Sequence, residues 1–405
     1  MGIFRSFRSP AFATYLAGQT LSLAGTWAQQ VSVAWLAFQL THSSAVVAMT
    51  VALVQLPTLL LAPVAGVLSD RISPRNLLIG TQVASALQAG LLAALLTTGR
   101  LDVSALLSLC GIAGAIGALD TPARQALVPR LVDAPAGVRN AVALSAASNH
   151  VARLTGPLVA ALILARGGAS GCAVFNALSS LAFCAILSRV PRSRTEGLRR
   201  IGFASIREAW RYLANVPSAH QTFSWVALTS VLAIPYASLL PGTLSEWSRP
   251  TSLPYAQLMA ASGAGAVVAA LVLATTTDED ALRRVVPHAL LAAAMALTVL
   301  GLVGGRLPLG LLLLLVLATG FALTLVITGS NVLIQHGVPD ALRGRVMGLF
   351  VTSFNGAAAL GALLLGVVAD VLGPRTTLAS AGGMTALIVL LAAAMSRTHR
   401  SGRRC

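Results

Sequence analysis

Charge is scarce in this sequence. Only 10% of its 405 residues are Asp, Glu, Lys or Arg, against about 25% in a soluble domain. A chain of this length without a polar covering has little surface to offer water, which excludes a soluble enzyme and a disordered chain alike. Lysine is missing altogether: all 28 basic residues are arginine, set against 12 acidic ones. Cysteine is rare too. Cys110, Cys172, Cys184 and Cys405 are scattered over apolar runs and the C-terminal tail. On one helix Cys172 and Cys184 would stand about 18 Å apart, beyond disulfide reach. No disulfide framework or metal-ligand spacing results. Phosphate-cradling glycine loops, His clusters and Ser/His/Asp constellations at usable spacing are also missing. The sequence therefore predicts no cofactor, no metal and no enzyme.

What is there is hydrophobic, at 56% of the residues. A transmembrane helix takes about 20 apolar residues, so twelve would use about 240 and leave about 165 for loops and ends. Apolar runs bounded by Pro, Gly and charge occur at 12–40, 44–69, 76–99, 103–120, 139–165, 170–188, 219–241, 255–276, 285–305, 307–336, 346–369 and 375–396. Arginine placement tests this count. With both termini cytoplasmic, 22 arginines fall on the cytoplasmic side. Five (Arg100, Arg166, Arg249, Arg306, Arg375) fall on the other, and Arg153 lies inside a run. Such an excess is what the positive-inside rule demands. It also accounts for the net charge of +16 without nucleic acid, the partner such a charge would suggest in a soluble protein. The expected fold is an all-α membrane protein of twelve transmembrane helices with both termini cytoplasmic. The first run is too long for a cleavable signal core. The stretch from Met1-Gly2 to Ser6 formally fits a myristoylation site, but one lipid adds nothing to a dozen spans.

The longest hydrophilic stretch, 189–217, divides the chain into a six-helix bundle at 1–188, a cytoplasmic linker, and a second six-helix bundle with a basic tail at 218–405. Within the linker, 205–213 reads either as a short amphipathic helix on the membrane surface or as plain solvated chain. The second run ends in GVLSDRISPR (66–75) and the eleventh in GVVADVLGPR (366–375), with Gly, Val, Asp, Pro and Arg recurring in register. Repeated three-helix units are how many secondary carriers build a central site between two pseudo-symmetric halves that rock.

Gly66-x-x-x-Asp70-Arg71-x-x-x-Arg75 resembles the signature loop of the major facilitator superfamily. With twelve helices and the central basic loop, that resemblance covers the whole chain. Phe12-x-x-Tyr15-Leu16-x-Gly18-Gln19, Gly25-Thr26-Trp27-x-Gln29-Gln30 and Ala34-Trp35-Leu36 are similar to the enterobactin-exporter and macrolide-efflux branch of that superfamily. So are DTPARQALVP (120–129) and Ala152-Arg153-Leu154-Thr155-Gly156-Pro157. The resemblance implies a secondary active transporter working by alternating access in a bacterial cytoplasmic (inner) membrane, with export as its direction; a monomer is expected. Two departures stand out. The branch's Asp after the first-run glycine is Thr26 here, which unsettles a simple proton-carrier assignment. The second-half copy of the signature loop, expected after the eighth run, is replaced by Thr277-Asp278-Glu279-Asp280 with Arg283 and Arg284, which implies a less symmetric cytoplasmic gate.

Asp70 closes the second run, where the partial negative charge of a helix C-terminus disfavours a carboxylate. A neighbouring helix start suits it better. The start of the eleventh run, beside Arg343 and Arg345, is the expected dock, giving with Arg71 and Arg75 a cytoplasmic latch; a solvated turn is the alternative. Surface ion pairs contribute about 0–1 kcal/mol, so such a latch biases an equilibrium. Polar stripes mark two apolar runs: Gln19, Ser22, Thr26, Gln29 and Gln30 in the first, Thr324, Thr328, Asn331 and Gln335 in the tenth. They favour a partner helix or a wet cavity over lipid. Cavity lining is the favoured reading, though interhelical hydrogen bonding uses the same residue types.

Arg153 is the sharpest clue, because a charge in mid-span needs a partner or marks a pathway. Its candidate partners are Asp120, Asn149 and an anionic substrate. Asp120 itself reads as a helix-start cap ahead of Pro122 or as a proton site. His150 and His336 are expected to be structural. Gly156-Pro157 resembles the kink element of antiporters, with close packing as the alternative. Pro235, Tyr236 and Pro241 suggest a kink in the seventh run, with Glu246 and Trp247 beyond it as interfacial anchors.

Together these residues predict a proton-coupled exporter of a small acidic or neutral organic molecule such as a siderophore. One charge crossing 100 mV supplies about 2.3 kcal/mol. The charge in mid-span is an arginine, not the carboxylate that a cationic drug would need. A macrolide or multidrug pump of the same fold is the runner-up, and a lipid flippase is third. The expected partners are the small-molecule substrate, protons and the lipid bilayer.

Overall fold

The computed structural model describes residues 9–132, 135–190, 208, 211–247, 251–275 and 278–401, and among them no strand occurs. The helices are α1 (Pro10–Thr41), α2 (Ser44–Arg71), α3 (Pro74–Thr97), α4 (Val103–Leu127), α5 (Pro135–Ser188), α6 (Pro217–Leu228), α7 (Tyr236–Glu246), α8 (Ser252–Thr275), α9 (Glu279–Val303), α10 (Leu309–Gly337), α11 (Asp340–Leu372) and α12 (Pro374–Ser401).

Local chemistry sets their ends. Ser9 and Ser73 cap α1 and α3 by accepting the N–H groups of Phe12 and Asn76, each just ahead of a proline whose missing N–H costs nothing there. Asp102 and Asp278 cap α4 and α9 in the same manner. α11 stops at Gly373, whose φ of 88° is followed at once by Pro374.

Two interruptions matter more. α5 has 54 residues, about 81 Å of helix at 1.5 Å per residue, far longer than a hydrocarbon core of about 30 Å. It breaks at Gly168 (φ 62°, ψ −164°) into rods 135–167 and 169–188, corresponding to the fifth and sixth apolar runs. α6 and α7 are the opposite case. They form one run interrupted by a π-turn at Thr229–Ala233 and by Pro235, which has no N–H to continue the ladder.

α4 departs from the expected boundary. It continues past 120 through Pro122 to Leu127, so Asp120 lies inside a helix and does not head one. Trp247 also differs from expectation. It is buried, its ring against Gly304 and Gly305 at the α9–α10 turn, where any side chain would collide with it.

Among the described residues, nine helical stretches are long and apolar enough to cross a membrane, with 140–188 counted once. Their outward faces carry bare aliphatic side chains: Val371 is 78% exposed, Leu60 76% and Leu87 70%. Such surfaces would drive association in water, but lipid tails are as apolar as leucine.

The chain forms two units, one of 1–42, 49–200 and 252–263, the other of 43–48, 201–251 and 264–405. The first turn of α2 thus belongs with the second unit, and the start of α8 with the first. The first unit packs around Phe12, Tyr15, Leu78, Leu127, Phe183 and Leu187. The second packs around Leu213, Val226, Ile334, Val346 and Phe350, with Phe223 edge-on to Phe350. Leu213 and its neighbour Tyr212, whose hydroxyl donates to the Gly337 carbonyl (2.5 Å), tie this end of the 205–213 segment into that core. Residues 205–207 and 209–210 lie outside the described residues.

Candidate functional site

A buried charge pair sits in the first unit. Asp120 and Arg124 are one turn apart on α4, the spacing that brings opposite charges together on a helix. The Asp120 carboxylate accepts from Arg124 Nε, and from Thr81 Oγ1 (2.8 Å) and Gln82 Nε2 (2.7 Å) of α3. Gln82 in turn accepts from the Ser22 hydroxyl of α1 (2.8 Å). The Arg124 guanidinium lies 4.9 Å from the centroid of the Phe183 ring, and the residue is 9% exposed. Arg124 Nη1 and the Tyr15 hydroxyl are buried with no hydrogen-bond partner among the described residues. The sequence reading assigns Arg124 to a loop; its spacing of four from Asp120 is the signal that pairs the two.

The polar stripe of α1 divides by function. Gln19 donates to the Ser145 carbonyl (3.1 Å) and to the hydroxyls of Ser145 (3.0 Å) and Ser148 (2.6 Å) on α5. Gln29 donates to Gln88 Oε1 of α3 (3.0 Å) and accepts from Asn176 Nδ2 of α5 (2.8 Å). Gln88 then donates to the Leu109 carbonyl of α4 (3.2 Å). Gln19, Ser22 and Gln29 are therefore buried links between helices, whereas Thr26 and Gln30 stay half-buried. On α10, Thr324 is buried, Thr328 and Asn331 are half-buried, and Gln335 is exposed and donates to Asn331 (2.5 Å).

Arg153 is half-buried in mid-α5, its guanidinium carbon 5.6 Å from the centroid of the Trp27 ring. No carboxylate pairs with it among the described residues. Asp120, one expected partner, is held by Arg124. Asn149, another, donates to the Ser145 carbonyl (3.2 Å). The ring orients the cation by an interaction of about 0.5–2 kcal/mol and leaves its N–H donors available in the guanidinium plane. Nearby, Gly156 is where α1 approaches α5: an added Cβ would lie 2.9 Å from the Ala24 carbonyl and 3.2 Å from the Ala28 nitrogen. Pro157 lies inside α5, and the helix breaks further on, at Gly168.

Arg75 opens α3 and donates from Nε to the Leu187 carbonyl (2.8 Å) and from Nη2 to that of Ser188 (2.6 Å). The side chains of Asp70, Arg71 and Arg343 lie outside the described residues. Arg345 pairs with Glu208, and His336 Nδ1 meets Glu279 Oε1 at 3.0 Å.

Comparison with known proteins agrees with this architecture. The family model of transmembrane secretion effectors matches residues 1–401. A staphyloferrin A transporter of Staphylococcus aureus is 24% identical over 93% of this chain and 94% of its own length. The multidrug efflux pump Tap of Mycolicibacterium fortuitum is 27% identical over 91% of each chain. A bacterial homolog of the lysosomal transporter Spinster superposes with a TM-score of 0.72 at 13% identity, covering 95% of this chain and 96% of that one. A POT family transporter solved with 5-aminolevulinic acid gives 0.73 at 11% identity, with 96% of each chain covered. The chain belongs to the transmembrane secretion effectors of the major facilitator superfamily, multi-pass membrane transporters that carry small molecules.

Proposed function

We propose that this transporter is a proton-coupled exporter of small acidic or neutral organic molecules, siderophores in particular, acting as a monomer in a bacterial cytoplasmic membrane. The supporting observation is Arg153, a half-buried guanidinium on the Trp27 face with no described carboxylate beside it. A cation inside a membrane protein is costly unless compensated, and an anionic substrate compensates it on arrival. In the first unit Thr26 and Gln30, with Gln19, supply neutral hydrogen-bonding groups on α1, and in the second Thr324, Thr328, Asn331 and Gln335 do so on α10. Asp120, joined to Arg124, Thr81 and Gln82, is the coupling residue of the first unit. Asp70, Arg71 and Arg75 gate the cytoplasmic side, and Gly156-Pro157 sets the contact between α1 and α5. Twelve crossings with both termini cytoplasmic complete the reading, α5 supplying two and α6–α7 one.

A thermal-shift screen of the purified wild type and Arg153→Ala tests it, using acidic siderophores, macrolides, cationic dyes and lysolipids. A ligand at 100 times its Kd stabilises a protein by about 2.7 kcal/mol, which is readily seen. Acids stabilising only the wild type is the expected result. Equal stabilisation of both proteins by macrolides or dyes would transfer the assignment to multidrug efflux, and by lysolipids to lipid flipping.

A further inference from the structure

The repeated decapeptide does more than recur. Arg375 opens α12 and donates from Nε to the Gly301 carbonyl (2.8 Å) and from Nη2 to that of Leu302 (2.5 Å), near the end of α9. This is what Arg75 does for the end of α5. In both copies the arginine after the proline plugs the carbonyl end of another helix, where orphan acceptors and partial negative charge favour a cation.

The repeated acid has a partner too. The Asp370 carboxylate accepts the Ser44 N–H (2.6 Å), the Ala45 N–H (3.3 and 3.4 Å to its two oxygens) and the Ser43 hydroxyl. Ser43 meanwhile accepts the Val46 N–H (3.2 Å). α2 has no acidic residue in its own first turn, so the negative charge that a helix start favours is supplied by α11. The fit is close. Val47 and Ala48 are fully buried and Ser44 is 2% exposed. A Cβ on Gly366 would come within 2.6 Å of the Ala48 Cβ, and one on Gly242 within 2.9 Å of Ser44 Oγ. All these groups belong to the second unit, whereas residues 49–71 of the same α2 belong to the first.

We propose that Asp370 is a latch that holds the first turn of α2 in the second unit, so that α2 moves as one rod only after this carboxylate lets go. The repeat gives Asp370 the place at the end of the eleventh run that Asp70 has at the end of the second. On the topology proposed above the two loops face opposite sides of the membrane. Asp370 therefore acts on the outer end of α2, and Asp70 stands at its cytoplasmic end. This inference does not depend on what is transported.

Amide exchange on the full-length protein in lipid nanodiscs tests it. In Asp370→Ala the segment 42–48 is expected to exchange about tenfold faster than in the wild type, the scale of a lost helix cap. α9 and the start of α12, held by Arg375, should be unchanged. Asp370→Asn keeps the acceptor but not the charge and should show a smaller acceleration in the same segment. Asp70→Asn, acting at the other end, should slow it. Wild-type exchange at 42–48 in Asp370→Ala overturns the latch, and faster exchange there in Asp70→Asn overturns the opposed pairing. Should the alanine variant loosen α9 and α12 as well, the asparagine variant decides. Local acceleration then upholds the latch, and wild-type exchange overturns it.

Discussion

Arg75 and Arg375 hold two helix ends with the same pair of atoms, Nε and Nη2, on consecutive carbonyls: Leu187 and Ser188 in one case, Gly301 and Leu302 in the other. The planar guanidinium is what permits this, because its N–H donors are fixed side by side. A charge-assisted bond contributes about 1.5–3 kcal/mol. Arg75→Ala and Arg375→Ala should each destabilise by about that much in reversible unfolding in detergent. Arg75→Ala should cost more, because Arg75 is buried and Arg375 only half-buried. The two share no partner, so the double variant should be additive to about 0.5 kcal/mol. Lysine at either position keeps the charge and loses the fork, and should recover less than half of the loss.

The Asp120–Arg124 pair should behave as a unit. Removing one partner leaves the other charged, buried and uncompensated, which costs about 3–5 kcal/mol. Arg124→Ala should therefore lower thermal stability more than the double variant Asp120→Asn/Arg124→Gln, which leaves no charge behind. Asp120→Asn alone leaves Arg124 uncompensated and should lose stability too, but less than Arg124→Ala, because Thr81 and Gln82 still find an acceptor. In proteoliposomes it should lose the dependence of transport on a pH gradient. Gradient-driven transport persisting in Asp120→Asn would remove the coupling role from this residue.

The approach of α1 to α5 gives a third expectation. Gly156→Ala places a methyl group against the Ala24 carbonyl and the Ala28 nitrogen, and overpacking of this kind costs about 1–3 kcal/mol. Gly156→Leu should fold poorly or not at all. Gly80, where an added Cβ meets nothing within 4 Å, is the matched control, and Gly80→Ala should be neutral or slightly stabilising. Equal melting temperatures for the variants at 156 and 80 would contradict the close approach.

The helical elements were legible in the sequence because hydropathy, proline and arginine report on single segments. Ser73-Pro74 and Gly373-Pro374 announce helix boundaries wherever they occur, and Gly167-Gly168 announces the break in α5. Pro122 misled, because Asp-Thr-Pro is also what a helix start looks like. Here α4 runs through the proline, and the Asp120 charge is answered by Arg124, Thr81 and Gln82. The destination of the α1 stripe was not legible either. Gln29 meets Gln88 and Asn176, and Gln19 meets Ser145 and Ser148. Nothing within α1 distinguishes a glutamine that faces a neighbouring helix from one that faces open space. Asp370 was hidden for the same reason. Its repeat was visible, but its partner is the backbone of Ser44 and Ala45, which carries no sequence signal.

Asp102 provides a pH-dependent expectation outside the apolar spans. Its carboxylate accepts the Ala105 N–H (2.7 Å) and the Ser104 hydroxyl (3.0 Å) at the start of α4. The backbone bond first, and the hydroxyl second, favour the charged form and hold the pKa below the usual carboxylate range. A folded-state pKa that is depressed means a contribution present in full above the unfolded value, near 3.9, and lost as pH falls through the folded value. The first turn of α4 should therefore be unaffected between neutral pH and about pH 5 and should fray below about pH 4. Amide exchange at Ala105 and Leu106, corrected for the intrinsic pH dependence of exchange, measures this. Asp102→Asn supplies an equivalent cap that does not titrate, so it should keep the protection and lose the pH dependence. A pH dependence that survives in Asp102→Asn would assign the fraying to a different group.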